Sequence, residues 1–185
     1  VLTSTIHVTA VNDAPIIHGS TTVNLSSVLK DAAAPANGNT TAGTLVGTLL
    51  GAITDPDGNV PKAIAVTGAG QGYGTLYYSI NGGTTWNQLT NLTTNNAVLL
   101  DANSRIFYKP LAGDTGFKDG AVWYRAWDMT DGLTVGAFVN TASYPGGGSS
   151  AFSGTDQGGD LHGAMGVNVI TSNTLPTGSV TITGT

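Results

Sequence analysis

Apolar and polar residues alternate with a period of two through most of the chain, and Gly, Asn, Asp or Pro interrupts the alternation every few residues. That pattern predicts short strands separated by turns. The candidates are "TLVGTLLGAIT" (44–54), "KAIAVTG" (62–68), "TLYYSI" (75–80), "TTWNQL" (84–89), "NAVLL" (96–100), "RIFYKP" (105–110), "AVWYRAW" (121–127), "MGVNVI" (165–170) and "GSVTITGT" (178–185). Between two of them, "NGG" (81–83) predicts a hairpin, because Asn and Gly both tolerate positive φ. No window of about eleven residues carries a 3.6-residue apolar period. Only "SSVLKDAAA" (26–34) has the look of one or two helical turns.

The first alternating run, "TIHVTAV" (5–11), stops at Asn12-Asp13, and Pro15 forbids a central-strand hydrogen bond before "II" resumes. The same layout returns near the other end. Ile6, Val8, Asn12 and Pro15 align with Val167, Val169, Asn173 and Pro176 at a constant offset of 161 (167 − 6 and 176 − 15). Each end therefore reads as a last strand, a polar joint with Pro, and the first strand of a following unit. The implied division is 1–12 as the last strand of a preceding unit or an N-terminal strand, 13–171 as the body, and 172–185 as a linker and the first strand of the next repeat. The unit is a tandem module of about 160 residues. Both ends fall in mid-pattern, as in a piece of something longer. The stretch "YPGGGSSAFSGTDQGGD" (144–160) is the loosest part by composition, a long loop or an exposed edge.

Composition sharpens the class. All eleven acidic residues are Asp and none is Glu. A helical protein would hardly avoid so good a helix former, whereas Asp favours turns, caps and cation sites. With 27 glycines and 7 prolines the chain is built for turns, and the expected class is all-β. A net charge of −5 leaves no basic face for nucleic acid. Cysteine is absent, which excludes disulfides and thiol chemistry. No apolar run is long enough to span a bilayer, and a monomer is expected.

Paired aspartates carry the candidate chemistry. "TDPDG" (54–58) sets Asp55 and Asp57 two apart, and "WDMTDG" (127–132) sets Asp128 and Asp131 three apart before a Gly. Calcium takes six to eight oxygens at roughly 2.3–2.6 Å, and short Asp side chains on turns supply them well. Asp-Pro-Asp-Gly is also simply a good turn sequence. Asp156 and Asp160 in "TDQGGD" are a further pair, for a second metal or ligand site or a solvated loop.

Enzymatic readings find little purchase. His7, His18 and His162 are isolated, without zinc-ligand spacing. "GAGQGYG" (68–74) lacks the G-x-G-x-x-G spacing and precedes a strand, so it is no phosphate loop. In "AVWYRAW" one face carries Trp123, Arg125 and Trp127 and the other Val122, Tyr124 and Ala126. This stripe reads as core, with the Arg125 guanidinium stacked over it.

Five stretches in order, "VTAVNDAP", "ITDPDG", "GTLYYSINGGTTW", "LLDANSRIFYKP" and "YRAWDMTDG", resemble the tandem cadherin-like repeats of giant bacterial surface proteins, including RTX adhesins. The tail "LPTGSVTITGT" resembles the opening of a next immunoglobulin-like repeat. The resemblance covers about residues 5–170. It implies an immunoglobulin/cadherin-like Greek-key β-sandwich with elaborated loops, a bacterial cell-surface location, and Ca2+ at the joints. The function implied is a non-catalytic extender whose partners are neighbouring repeats of the same chain. Carried over residue by residue, the ligands are Asp13, Asp55, Asp57 and Asp128, with Asn12 and Asp131 beside them. At the second joint Thr174 stands where Asp13 stands at the first, a departure that puts an ion there in doubt. The alternative function is calcium-dependent binding of a carbohydrate or peptide through the 140–162 region.

Overall fold

The computed structural model describes residues 6–18, 23–70, 72, 74–154 and 163–171, and these form an all-β sandwich. In chain order the strands are β1 (Ile16–Ile17), β2 (Val23–Asn24), β3 (Val28–Leu29), β4 (Thr44–Leu45), β5 (Ile53–Thr54), β6 (Ala63–Ala69) and β7 (Gly74–Ser79). They continue as β8 (Asn87–Gln88), β9 (Ala97–Leu100), β10 (Arg105–Pro110), β11 (Gly116–Trp127), β12 (Phe138–Val139) and β13 (Gly163–Ile170). The larger sheet runs β12-β9-β6-β11-β13-β2, with β3 also paired to β13. The smaller runs β4-β10-β7-β8, and β1 with β5 forms a third, two-stranded piece. β2 and β3 lie parallel to β13, and the other ladders are antiparallel. Among the described residues, no helix is long and apolar enough to cross a membrane.

Period-2 alternation explains the two layers of packing. The inward residues Val122, Tyr124 and Ala126 of β11 join Ile64, Val66, Val98, Leu100, Met165, Val167 and Val169 against Leu76, Tyr78, Ile106 and Tyr108 of the smaller sheet. The outward face of the larger sheet is not left to solvent. Ala63, Ala65, Ala97, Leu99 and Trp127 are covered by Ala151 and Phe152, with Leu133, Val135 and Tyr144 at the margin. Phe152 is fully buried, stacked at 6.3 Å and 12° on Trp127. Arg125 is covered by the same segment, while Trp123 stays half open at 41 % exposure. β11 shifts register, as at a β-bulge, between Lys118 and Val122 against β13 and between Trp123 and Tyr124 against β6.

Several predicted elements are redrawn. The run 44–54 is no single strand: a 3-10 helix, Val46–Ala52, separates β4 from β5. Val46, Leu49 and Leu50 are all buried, a three-and-four spacing that a tight helix satisfies and a strand does not. At 81–83 the positive φ values fall on Gly82 and Gly83. Asn81 instead uses its side-chain Oδ1 to accept from Thr85 N, 2.9 Å, and Ser79 Oγ, 2.9 Å. The predicted helical turns in 26–34 are replaced by β3, because Val28 and Leu29 find ladder partners in Val169 and Ile170. The alternating run over 6–11 makes no strand among the described residues, and Ile6 and Val8 are 84 % and 88 % exposed. The predicted strand 178–185 and the second joint lie outside the described residues.

Removing the Phe152 ring opens a cavity between Trp127, Tyr144 and Arg125. Phe152→Ala should cost about 3–5 kcal/mol of unfolding free energy in a urea titration. Leu111→Ser, at a site 49 % exposed, should stay within about 0.5 kcal/mol.

Candidate metal centre

The two-residue ladder β1–β5 sets the geometry of this end of the sandwich. Ile16 pairs with Thr54 and Ile17 with Ile53, antiparallel. Continuing that register outward places the residues before Ile16 alongside those after Thr54, so Asp13 meets Asp57. The Asp13 N–H donates to Asp57 Oδ2 at 2.8 Å. The "DPDG" turn is closed by Gly58 N donating to Asp55 O, 3.1 Å, with Gly58 at φ +84, and by Asp57 N donating to Asp55 Oδ1, 2.9 Å. Asp128 arrives from the end of β11, where the strand leaves the sheet.

The leading segment closes over these groups. Asn12 Nδ2 donates to Asp128 Oδ2 at 2.8 Å and to Ser150 O at 3.3 Å. Ala14 N donates to Gly148 O at 2.7 Å, and Ala14 and Pro15 are buried. Asp128 is fully buried, and its Oδ1 accepts from Thr130 N, 2.8 Å, and Thr130 Oγ1, 2.7 Å. Asp55 as a whole is only half-buried, yet its Oδ2 is screened from solvent and has no hydrogen-bond partner among the described residues. Its carboxyl is pushed above the ordinary 3.8. Burial is the chief cause, opposed by the Asp57 N–H bond and reinforced by the charges of Asp128, Asp57 and Asp13. Among the described residues, the charges acting on it are all carboxylates.

The structure thus brings together Asn12, Asp13, Asp55, Asp57 and Asp128. Asp131 stands apart from that group: its Oδ1 accepts from Trp127 Nε1, 3.1 Å, and Leu133 N, 3.2 Å. Asp156 and Asp160 lie outside the described residues. Two carbonyls, Gly148 O and Ser150 O, belong to the arrangement and escaped sequence reasoning, since a backbone oxygen carries no residue-type signal. Among the described residues, no group of three or more His, Cys, Asp or Glu side chains is gathered at metal-holding distance. The donor set nevertheless fits a hard cation. It consists of carboxylate and carbonyl oxygens on turns, and it includes a screened oxygen, Asp55 Oδ2, with no proton donor to meet it among the described residues. Comparison with family models, with curated proteins and with solved structures found no significant match.

Because the folded pKa of Asp55 is raised, its protonation favours the folded state. That contribution is full below 3.8 and is lost as pH rises through the folded value. In EDTA, Asp55→Asn should therefore be more stable than wild type at pH 7, and the two should converge below pH 3.8. Thermal unfolding across pH checks this. Parallel curves at all pH values would contradict it.

Proposed function

We propose that this chain is a calcium-stabilised structural module of an extracellular bacterial adhesin, an extender that carries no catalysis. The observation that supports it best is the meeting of the leading segment with the "DPDG" turn and Asp128 around an unpartnered, screened Asp55 Oδ2. The charges of Asp128, Asp57 and Asp13 all disfavour the ionised form of Asp55, and a divalent cation would relieve that repulsion. Asp55, Asp57 and Asp128 would hold the ion from the body, and Asn12 and Asp13 from the joint. The chemistry it supplies is electrostatic cross-linking alone. An ion bonded to both sides of a joint reduces the bending freedom left to the segment, and Pro15 already restricts φ there. A series of such modules would then project stiffly from a cell surface. The resemblance to cadherin-like repeats points the same way. A ligand-binding role through 140–162 has less support, because its described part, 140–154, is packed down onto β11.

A cation that binds only the folded state adds RT ln(1 + [L]/Kd), about 2.7 kcal/mol at a hundredfold excess over Kd. The thermal midpoint should rise in millimolar calcium over EDTA. Asp57→Ala should remove most of that rise. Asp101→Ala should keep it, since Asp101 spends its Oδ1 on Ser104 N, 2.9 Å, and Ser104 Oγ, 2.5 Å. Equal midpoints for wild type in calcium and EDTA would overturn the cation reading.

The extender role needs its own check. Two modules joined through residues 6–15 should show a larger maximum dimension by small-angle scattering in calcium than in EDTA. Asp13→Ala should abolish the difference. An unchanged dimension in the wild type would leave a calcium-binding domain that does not stiffen its joint.

A further inference from the structure

The Gly- and Ser-rich stretch is loose by composition, but residues 144–154 are closely fitted. Their anchor is Arg125, on the outward face of β11 and 3 % exposed. Its guanidinium donates only to carbonyls in the hydrogen bonds of the described residues. Nε and Nη2 reach Ser153 O at 3.1 and 2.7 Å, and Nη1 reaches Thr141 O at 2.6 Å and Tyr144 O at 3.4 Å. The same group lies 5.4 Å from the centre of the Phe152 ring. One side chain therefore ties both ends of the stretch to the sheet.

Glycine makes the path between those ends feasible. Gly146, Gly147 and Gly148 follow one another at φ +66, +72 and +56, a run that side chains with a Cβ rarely adopt. A Cβ on Gly146 would sit 2.6 Å from Arg125 Nη2 and 2.8 Å from both Gly154 Cα and Ser153 O. Gly147 N donates to Phe152 O at 3.2 Å, and Ser150 N to Gly147 O at 3.2 Å. So shaped, the stretch presents two carbonyls to the leading segment: Gly148 O to Ala14 N–H, and Ser150 O to Asn12 Nδ2.

We infer that residues 144–154 form a latch for the leading segment, with Arg125 as its positioning residue, and that it seats residues 12–14 without any cation. The inference deepens the proposed joint and rests on that reading for its purpose, though not for its contacts. A segment already seated loses less freedom when an ion arrives, so the latch raises the affinity of the joint for the ion.

The chain has no cysteine, so a nitroxide on Val11→Cys, at a site 67 % exposed, reports on the leading segment alone. Its spectrum is compared in EDTA and in calcium for this parent, Gly146→Asn, Gly148→Asn and Arg125→Lys. Asn tolerates positive φ, and nothing lies within 4 Å of a Cβ at Gly148. The two Asn variants therefore separate the Arg125 contact from backbone strain. In EDTA the label should be immobilised in the parent and in Gly148→Asn, and mobile in Gly146→Asn and Arg125→Lys. A label equally mobile in every EDTA sample overturns the latch, whatever calcium then does. Release by Gly146→Asn with no calcium effect in any sample keeps the latch and sinks the cation reading.

Amide exchange of the unmutated protein in EDTA guards against variants that fail to fold. Ala14 N–H should exchange at least about tenfold more slowly than in an unfolded peptide. Exchange at the peptide rate overturns the latch.

Discussion

Two residue pairs, Ile16 with Thr54 and Ile17 with Ile53, decide where the charges of this protein collect. Without that ladder nothing would align residues 12–15 with the turn that carries Asp55 and Asp57. With it, the Asp13 N–H is held to the Asp57 carboxylate, Asn12 reaches Asp128, and Asp55 keeps a screened oxygen with no hydrogen-bond donor among the described residues. Such an arrangement is costly on its own terms. Like charges in a partly screened pocket destabilise the fold that gathers them, a pattern more often met at functional sites than in scaffolding.

The sandwich can carry that cost because its core is built elsewhere. The main apolar layer fills the space between the two large sheets, and a second layer under Phe152 backs the outer face of the larger one. Both layers run along β11, whose last residues lead directly into Asp128. The strand that organises the packing thus also delivers the most deeply buried carboxylate among the described residues. A charge placed there cannot swing away to relieve repulsion, whereas Asp57 on its exposed turn has more freedom. Asp55, raised first by burial and then by the charges of Asp128, Asp57 and Asp13, bears the expense.

Much of this was legible in the residues, and the failures have physical causes. The absence of Glu, the period-2 runs and the turn residues identified an all-β chain, and β6, β7, β9, β10 and β13 fall close to their expected limits. Strand prediction failed in 44–54, where burial of Val46, Leu49 and Leu50 selects a helix too short to show a clear period. It failed at 26–34 because β3 exists only through β13, over a hundred residues away. At the candidate site, the aspartate pair in "DPDG" and Asp128 could be singled out by type and spacing. Asp131 resembled them in sequence but serves Trp127. The roles of Gly148 and Ser150 depend on where their backbone oxygens point, which tertiary folding alone determines.

The margins of the sheets carry a different consequence. Among the described residues, the larger sheet ends in β12 on one side and in β2 and β3 on the other, the smaller in β4 and β8, and each of these strands is two residues long. A sheet edge recruits foreign strands in proportion to the unpaired backbone it offers, and two residues offer little. In a tandem array of the kind proposed, copies would meet at high local concentration, where edge-to-edge pairing is the standing route to misassembly. Borders this short would let crowded neighbours fold side by side with less exchange of strands.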